Sequence, residues 1–172
     1  MDNSERFRSL ATPLLDRLHF AALRLARNPT AADDLAQEAL LEAWRDFGGF
    51  DASRPFAPWL FRILETTFLD SKRKRRIPTA PLESDPEAPE PAETSLDPSE
   101  PEALRNCLDD RIVAALDALP PEQRMAVLYA DAFDLPYAEI AAIQGAPIGT
   151  VRFRIHAGRR RLRARLAGKG PA

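Results

Sequence analysis

The segment between Pro78 and Pro101 constrains the fold of this chain more than any other. Seven of the chain's 16 prolines lie there, interleaved with Glu83, Asp85, Glu87, Glu90, Glu93, Asp97 and Glu100. Proline withholds backbone donors, the acids repel one another, and too few apolar side chains are present to offset the entropy of ordering. A single globular core therefore cannot run through it. The 172 residues divide into two small modules, 1–76 and 104–168, joined by a disordered, acidic, Pro-rich linker over 77–103. Each module is near the size at which one core is marginal, so partner binding is expected to stabilise both.

Charge follows the same division. The formal net charge of −2 conceals a linker region, 77–110, with ten acids and one base, flanked by two basic patches. Lys72, Arg73, Lys74, Arg75 and Arg76 close the first module, and Val151–Ala172 carries eight Lys or Arg and no acid. A lone basic run is commonly a solvated helix end, favoured by the helix dipole. Two such runs separated by acid point instead to a polyanionic partner. The acidic linker is also placed to screen both patches in the free protein and suppress unassisted nucleic-acid binding.

Several classes are excluded. No apolar run approaches the ~18 residues of a membrane span, and the first ten residues lack a secretory signal pattern. A cytoplasmic protein is expected. The single Cys107 cannot form an internal disulfide. Cys107, His19 and His156 are too scattered for a structural metal site. No glycine pattern suits a phosphate-binding loop. No enzyme activity, cofactor, metal or small-molecule substrate is expected.

Apolar spacing at i, i+3 and i+4 predicts an all-α protein. Leu10, Leu14, Leu18, Ala21, Ala22 and Leu25 form one stripe ending at Asn28-Pro29. Thr30 with Asp33 resembles a capping box opening a helix to about Phe47. A third helix begins near Pro55 to Pro58 and runs into the basic block. In the second module a helix over 104–119 precedes new starts at Pro120-Pro121 and Pro136. Tyr137 to Gln144, the turn Gly145-Ala146-Pro147, and a helix from Ile148 to about Leu166 have helix-turn-helix proportions.

Helical projection leaves three faces without an internal partner. On the Thr30–Phe47 helix, Ala32, Ala36, Ala39, Leu40, Ala43 and Phe47 face the core, while Asp34, Gln37, Glu38, Leu41 and Arg45 face away. A lone exposed leucine is ordinary, but one ringed by polar groups has the anatomy of a protein-binding patch. On the third helix, Trp59, Arg62, Thr66 and Arg73 lead toward Lys72–Arg76, beside a core face of Phe56, Leu60, Ile63, Leu64 and Thr67. Trp59 either borders the core or stacks on an exposed base beside a cationic strip. On the last helix, Ile148, Val151, Ile155, Leu162 and Leu166 face inward. Thr150, Phe153, Ala157, Arg160 and Arg161 face outward with Arg154 beside them. Such a helix suits the DNA major groove, with further arginines on phosphates, or alternatively RNA or an acidic protein.

The run Ala32-Asp33-Asp34-Leu35-Ala36-Gln37-Glu38-Ala39-Leu40-Leu41-Glu42-Ala43-Trp44-Arg45 closely resembles region 2 of bacterial RNA polymerase sigma factors. Pro58-Trp59-Leu60-Phe61-Arg62-Ile63-Leu64, Asp70 and the basic block continue the likeness. Leu119-Pro120-Pro121-Glu122-Gln123-Arg124, Tyr137-Ala138-Glu139-Ile140-Ala141 and Pro147-Ile148-Gly149-Thr150-Val151-Arg152 resemble region 4. The pair in this order is similar to the small extracytoplasmic-function (ECF, group IV) members of the sigma-70 family.

That resemblance implies a region 2 helical bundle over 1–76 and a region 4 helix-turn-helix over 104–168. It implies a transcription initiation factor that binds core RNA polymerase, at the clamp helices of the largest subunit and the flap of the second-largest. Carried over by position, Asp34, Gln37, Glu38, Leu41 and Arg45 meet polymerase. Trp59, Arg62, Thr66, Lys72, Arg73, Lys74, Arg75 and Arg76 meet the −10 element of promoter DNA. Thr150, Arg152, Phe153, Arg154, Arg160 and Arg161 meet the −35 element. Most members have an anti-sigma factor, often at the membrane, so one is expected here. Four positions depart from the common pattern: Glu65-Thr66 stands where many members have Arg-Asn, Phe153 replaces a frequent Ser, and Ala157 a frequent base. An acid at 65 is expected to weaken phosphate contact. Two other readings compete. A dimeric helix-turn-helix regulator acting without polymerase leaves the Leu41 face and the Trp59 strip without a task. An adaptor binding acidic proteins leaves the helix-turn-helix unexplained.

Overall fold

The computed structural model describes residues 2–76 and 110–168, without the side chains of Arg75 and Arg76. The expected linker and the expected helix start at Leu104 lie outside these residues. The first module comprises α1 (Asn3–Ala11), α2 (Leu15–Ala26), α3 (Pro29–Asp46) and α4 (Phe56–Arg76), with short 3-10 turns at Thr12–Leu14 and Phe47–Gly49. The second comprises α5 (Asp110–Asp117), α6 (Pro121–Val127), α7 (Tyr137–Gln144) and α8 (Ile148–Leu166). The regular structure among the described residues is entirely helical, as the apolar spacing requires.

In the first module the expected Leu10–Leu25 stripe is real but interrupted. Pro13 sits in the 3-10 turn and separates α1 from α2, because proline cannot continue the hydrogen-bond ladder. Leu18, Ala21, Ala22 and Leu25 are buried beyond that break. The expected capping box at Thr30 is replaced by a cap two residues earlier. The Asn28 side chain accepts the Ala31 N–H at 2.9 Å, and Pro29 occupies the first helical position. Proline there loses no bond and presets φ, so the cap forms at Asn28. Asp33 instead pairs with His19 Nε2 at 2.8 Å, tying α3 to α2. The buried side of α3 is Ala32, Ala36, Ala39 and Ala43. Four alanines at helical spacing let α2 and α3 pack closely along their ridges.

In the second module, the last three helices start at prolines: Pro121 opens α6, Pro136 caps α7 and Pro147 caps α8. Gly145 closes α7 in the left-handed conformation, φ +57°, where a side chain would be strained. Gly158 is required for another reason. A Cβ there would lie 2.6 Å from Val127 Cγ2 and 3.3 Å from the Gln123 carbonyl, so α8 crosses α6 at backbone range. This crossing revises two face assignments on α8. Ala157, expected outside, is buried at 5% exposure beside it, and Ile148, expected inside, is 42% exposed at the first turn.

The two modules share one continuous apolar core. Phe61 of α4 is fully buried, its ring 5.4 Å from Tyr129 and 5.2 Å from Phe133. Tyr129 lies within, and Phe133 just after, a π-helical turn, Leu128–Ala132, that extends α6 and swings Tyr129 toward the first module. Arg124, 3% exposed, stitches the far end of the seam. It donates to the carbonyls of Leu116, Asp117 and Leu119 in its own module, and to that of Arg24 across the gap. Arg24 reaches back to Asp117 at 3.3 Å. Burial raises the Asp117 carboxyl, opposed by the nearby Arg24 and Arg124, and lowers the Arg124 guanidinium. A buried guanidinium is tolerable here because several carbonyls satisfy it.

Candidate protein and nucleic-acid interfaces

Asp34, Gln37, Glu38, Leu41 and Arg45 are all exposed along one side of α3, opposite the alanine ridge. Leu41 is 56% exposed. The surface is wider than helical projection indicates. Trp44 and Leu15 are also exposed, and with Phe7, Ala11 and Leu40 they line a groove of about 290 Å³ between α1 and α3. Trp44 was hidden from the projection because it falls between the core and solvent faces. Its aromatic character was the available signal.

Along α4 the expected strip is divided between different environments. Trp59 is half-buried, its ring 4.9 Å from Phe50 and 5.3 Å from Phe56, so it borders an aromatic cluster with one side toward solvent. The Thr66 hydroxyl donates to its own helix at the Ile63 carbonyl, 2.9 Å away, with the Arg62 carbonyl at 3.0 Å. Lys72 lies 4.7 Å over the Phe68 ring, and Arg73 pairs with Asp70 at 3.1 Å on an exposed surface. Lys74 is exposed. Arg62 points the other way, into the seam, where it donates to the Ala142 carbonyl of α7.

On α8, Thr150, Arg152, Phe153, Arg160 and Arg161 are exposed. Phe153, at 68%, is an aromatic ring held in water. Arg161 reaches Gln123 at 2.7 Å. Arg154 is turned toward the seam and donates to Gln144 at 2.9 Å. Arg159, not singled out from the sequence, makes paired hydrogen bonds to Asp131, which hold its guanidinium well above the usual range. It therefore anchors α8 to the π turn.

Between Arg62 and Arg154 lies a polar cluster that projection did not foresee. Glu65 Oε1 and the Tyr129 hydroxyl are sealed from solvent beside one another, neither with a well-aligned hydrogen bond. Burial pushes the Glu65 carboxyl up to about 7; Tyr129 and Arg154 oppose the shift and Glu122 adds to it. Desolvation beside Glu65 also holds the Tyr129 phenol well above its ordinary value. An acid expected to face phosphate is thus enclosed by the second module. The crevice around it, about 240 Å³, is lined by Leu25, Phe68, Leu69 and Met125 with Gln144 and Arg154. Chemically, the assembly offers a protein-docking face, a partly covered aromatic and cationic strip, and an arginine-rich helix at a helix-turn-helix.

Comparison with known proteins places these surfaces in a family. The family profile described as Sigma-70 region 2 matches residues 10–77, and that described as Sigma-70, region 4 matches 109–162. The ECF RNA polymerase sigma factor SigE of Mycolicibacterium smegmatis is 41% identical over 154 residues, 88% of this chain and 58% of that relative's length. The ECF RNA polymerase sigma factor EcfG of Rhodopseudomonas palustris is 33% identical over 145 residues, covering 84% of this chain and 76% of its own. Among solved structures, the sigma factor RpoE in complex with the anti-sigma factor NepR from Bartonella quintana superposes with a TM-score of 0.71. It shows 28% identity and covers 95% of this chain and 98% of its own. CnrH in complex with the cytosolic domain of CnrY gives 0.67 at 26% identity, covering 97% and 91%.

Proposed function

We propose that this chain, which belongs to the ECF RNA polymerase sigma factors, acts as a promoter-specificity subunit of polymerase and not as an enzyme. The exposed α3 face, Asp34, Gln37, Glu38, Leu41 and Arg45, binds core polymerase, with Leu41 as its apolar anchor. Trp59, Arg62, Thr66 and the 72–76 block hold the −10 strand, where a half-buried ring beside cations can stack an unpaired base. Thr150, Arg152, Phe153, Arg154, Arg160 and Arg161 dock α8 in the major groove at −35. The arginines supply base contacts and salt-dependent phosphate contacts, and Phe153 supplies an apolar contact for a thymine methyl. Each DNA surface is small. Mounting both on polymerase raises their effective concentration without new contacts. Residues 1–76, 77–103 and 104–168 divide this work as polymerase-binding and −10 module, tether, and −35 module.

The carrying observation is that one chain presents both an unoccupied polar face with a central leucine on α3 and an aromatic, arginine-rich helix held by the Gly145 turn. A lone helix-turn-helix regulator has no use for the first. Its workplace is the cytoplasm, where core polymerase and nucleoid DNA are. Among the described residues no helix is long and apolar enough to cross a membrane. One solved relative is a complex with the anti-sigma factor NepR and another a complex with the cytosolic domain of CnrY, which supports an anti-sigma partner for this chain as well. In vitro transcription with purified core polymerase and a promoter library tests the reading. Initiation at defined start sites is expected, and failure at every start site overturns it.

A further inference from the structure

Glu65 Oε1 and the Tyr129 hydroxyl meet across the seam between the two modules, both atoms buried without a well-aligned hydrogen bond while the rest of the Glu65 side chain is only partly covered. Around them, Arg62 of the proposed −10 surface is tied across the seam to the Ala142 carbonyl, whereas Arg154 bonds Gln144 within its own module. Closure therefore engages a −10 group directly. Around Phe61, between Tyr129 and Phe133, the contact is apolar; at the far end Asp117 is compensated by Arg24 and Arg124, so Glu65 is the poorly compensated carboxyl at the seam. We propose that Glu65, seated against Tyr129, is a proton-sensitive latch that holds the two modules closed when neutral and releases them when ionised.

The physical basis is the cost of burying a carboxylate with too few partners. The groups facing Glu65 are the Tyr129 hydroxyl from the π turn, Arg154 from α8 and Glu122 from the start of α6. Arg154 is already engaged by Gln144, and Glu122 is itself an acid, so an ionised Glu65 is poorly compensated. Opening returns Glu65 to water and to its ordinary carboxylate range. The closed form therefore binds the proton more tightly than the open form. By linkage, closure is favoured at low pH and is lost as pH rises through about 7. From a carboxyl at about 7 when closed and 4.5 when open, the closed-to-open ratio falls roughly 30-fold between about pH 5.5 and about pH 8.5. The effect on promoter access rests on the DNA surfaces proposed above, whereas the latch itself is a property of the free chain.

Small-angle scattering of the full chain across pH 5.5–8.5, on wild type, Glu65→Gln and Tyr129→Phe, tests it. Wild type is expected to become less compact as pH rises, with the change centred near neutrality and bounded by that roughly 30-fold fall in the ratio. Glu65→Gln, permanently neutral, is expected to stay compact throughout, and the comparison cancels every other titrating group, His19 and His156 included. Tyr129→Phe removes a group that favours the ionised carboxyl, so its midpoint is expected to move to higher pH, which keeps the test intact if the Gln variant misfolds. A wild type whose dimensions do not change with pH, or a Gln variant that follows the wild-type curve, overturns the latch. Opening driven by pH in a chain that cannot direct core polymerase supports the latch and overturns the promoter reading instead.

Discussion

Helices α3 and α4 lie side by side in one bundle, and each carries a second functional face beyond its core face. The two faces have opposite fates. That of α3, centred on Leu41, is left in water, whereas part of that of α4 is covered by the chain's own second module through Phe61, Arg62 and Glu65. A face left open waits for an external partner. A face closed from within has a resident competitor, so anything that binds it must first displace α7 and the π turn. Polymerase binding and promoter reading are thus expected to differ in their dependence on closure, although both begin on the same small bundle.

Substituting the open face is expected to produce the largest effect. Leu41→Asp places a charge at the proposed apolar anchor for polymerase and should abolish retention of core polymerase in a pull-down. Because Leu41 is exposed, unfolding free energy should stay within about 0.5 kcal/mol of wild type. Normal retention would break the comparison by removing the external partner from α3. The covered face is expected to respond through stability. Phe61→Ala empties the space between Tyr129 and Phe133 and should cost roughly 3–5 kcal/mol in urea unfolding, with loss of compactness in scattering at low pH. A loss under about 1 kcal/mol would mean that the seam is not built on this ring.

The difference between these helices also marks how far the sequence could be read. The α3 faces follow from helical projection, because a regular helix turns alanines inward and Asp34, Gln37, Glu38 and Leu41 outward whatever else the chain does. Projection assigns α4 one core face and one outer face. Three burial environments are found, because Phe61 and Glu65 point toward a module that the Pro-rich segment separates in sequence. Local periodicity carries no record of such a contact. The same limit explains Ala157 and Ile148: their positions depend on where α8 crosses α6, and that crossing is set by Gly158 touching Val127. The proline and glycine signals, being local, locate the starts of α6, α7 and α8.

A smaller change sharpens the contrast on the DNA side. Phe153 belongs to no seam, whereas Arg154 one residue on is turned into it. Phe153→Ala is expected to weaken holoenzyme binding to a cognate promoter by roughly 1–3 kcal/mol with no change in closure, measured by titration at fixed salt. Full promoter affinity would remove Phe153 from the −35 surface and leave Thr150 and the arginines as the proposed contacts there.

The smallest expected effect concerns how α3 begins, and hence how it approaches α2. Asn28 caps the helix through the Ala31 N–H, while Thr30 lies within the first turn and Asp33 is engaged by His19. Asn28→Ala should therefore cost about 1 kcal/mol in urea unfolding, the value of a lost side-chain cap. Thr30→Ala should cost nothing measurable, since alanine is the better helix former and no cap bond is lost. If Thr30→Ala were the costlier change, the helix would start two residues later than Asn28 places it. The Leu41 face would keep its angular position, but the Pro29 turn would no longer set the approach of α3 to α2.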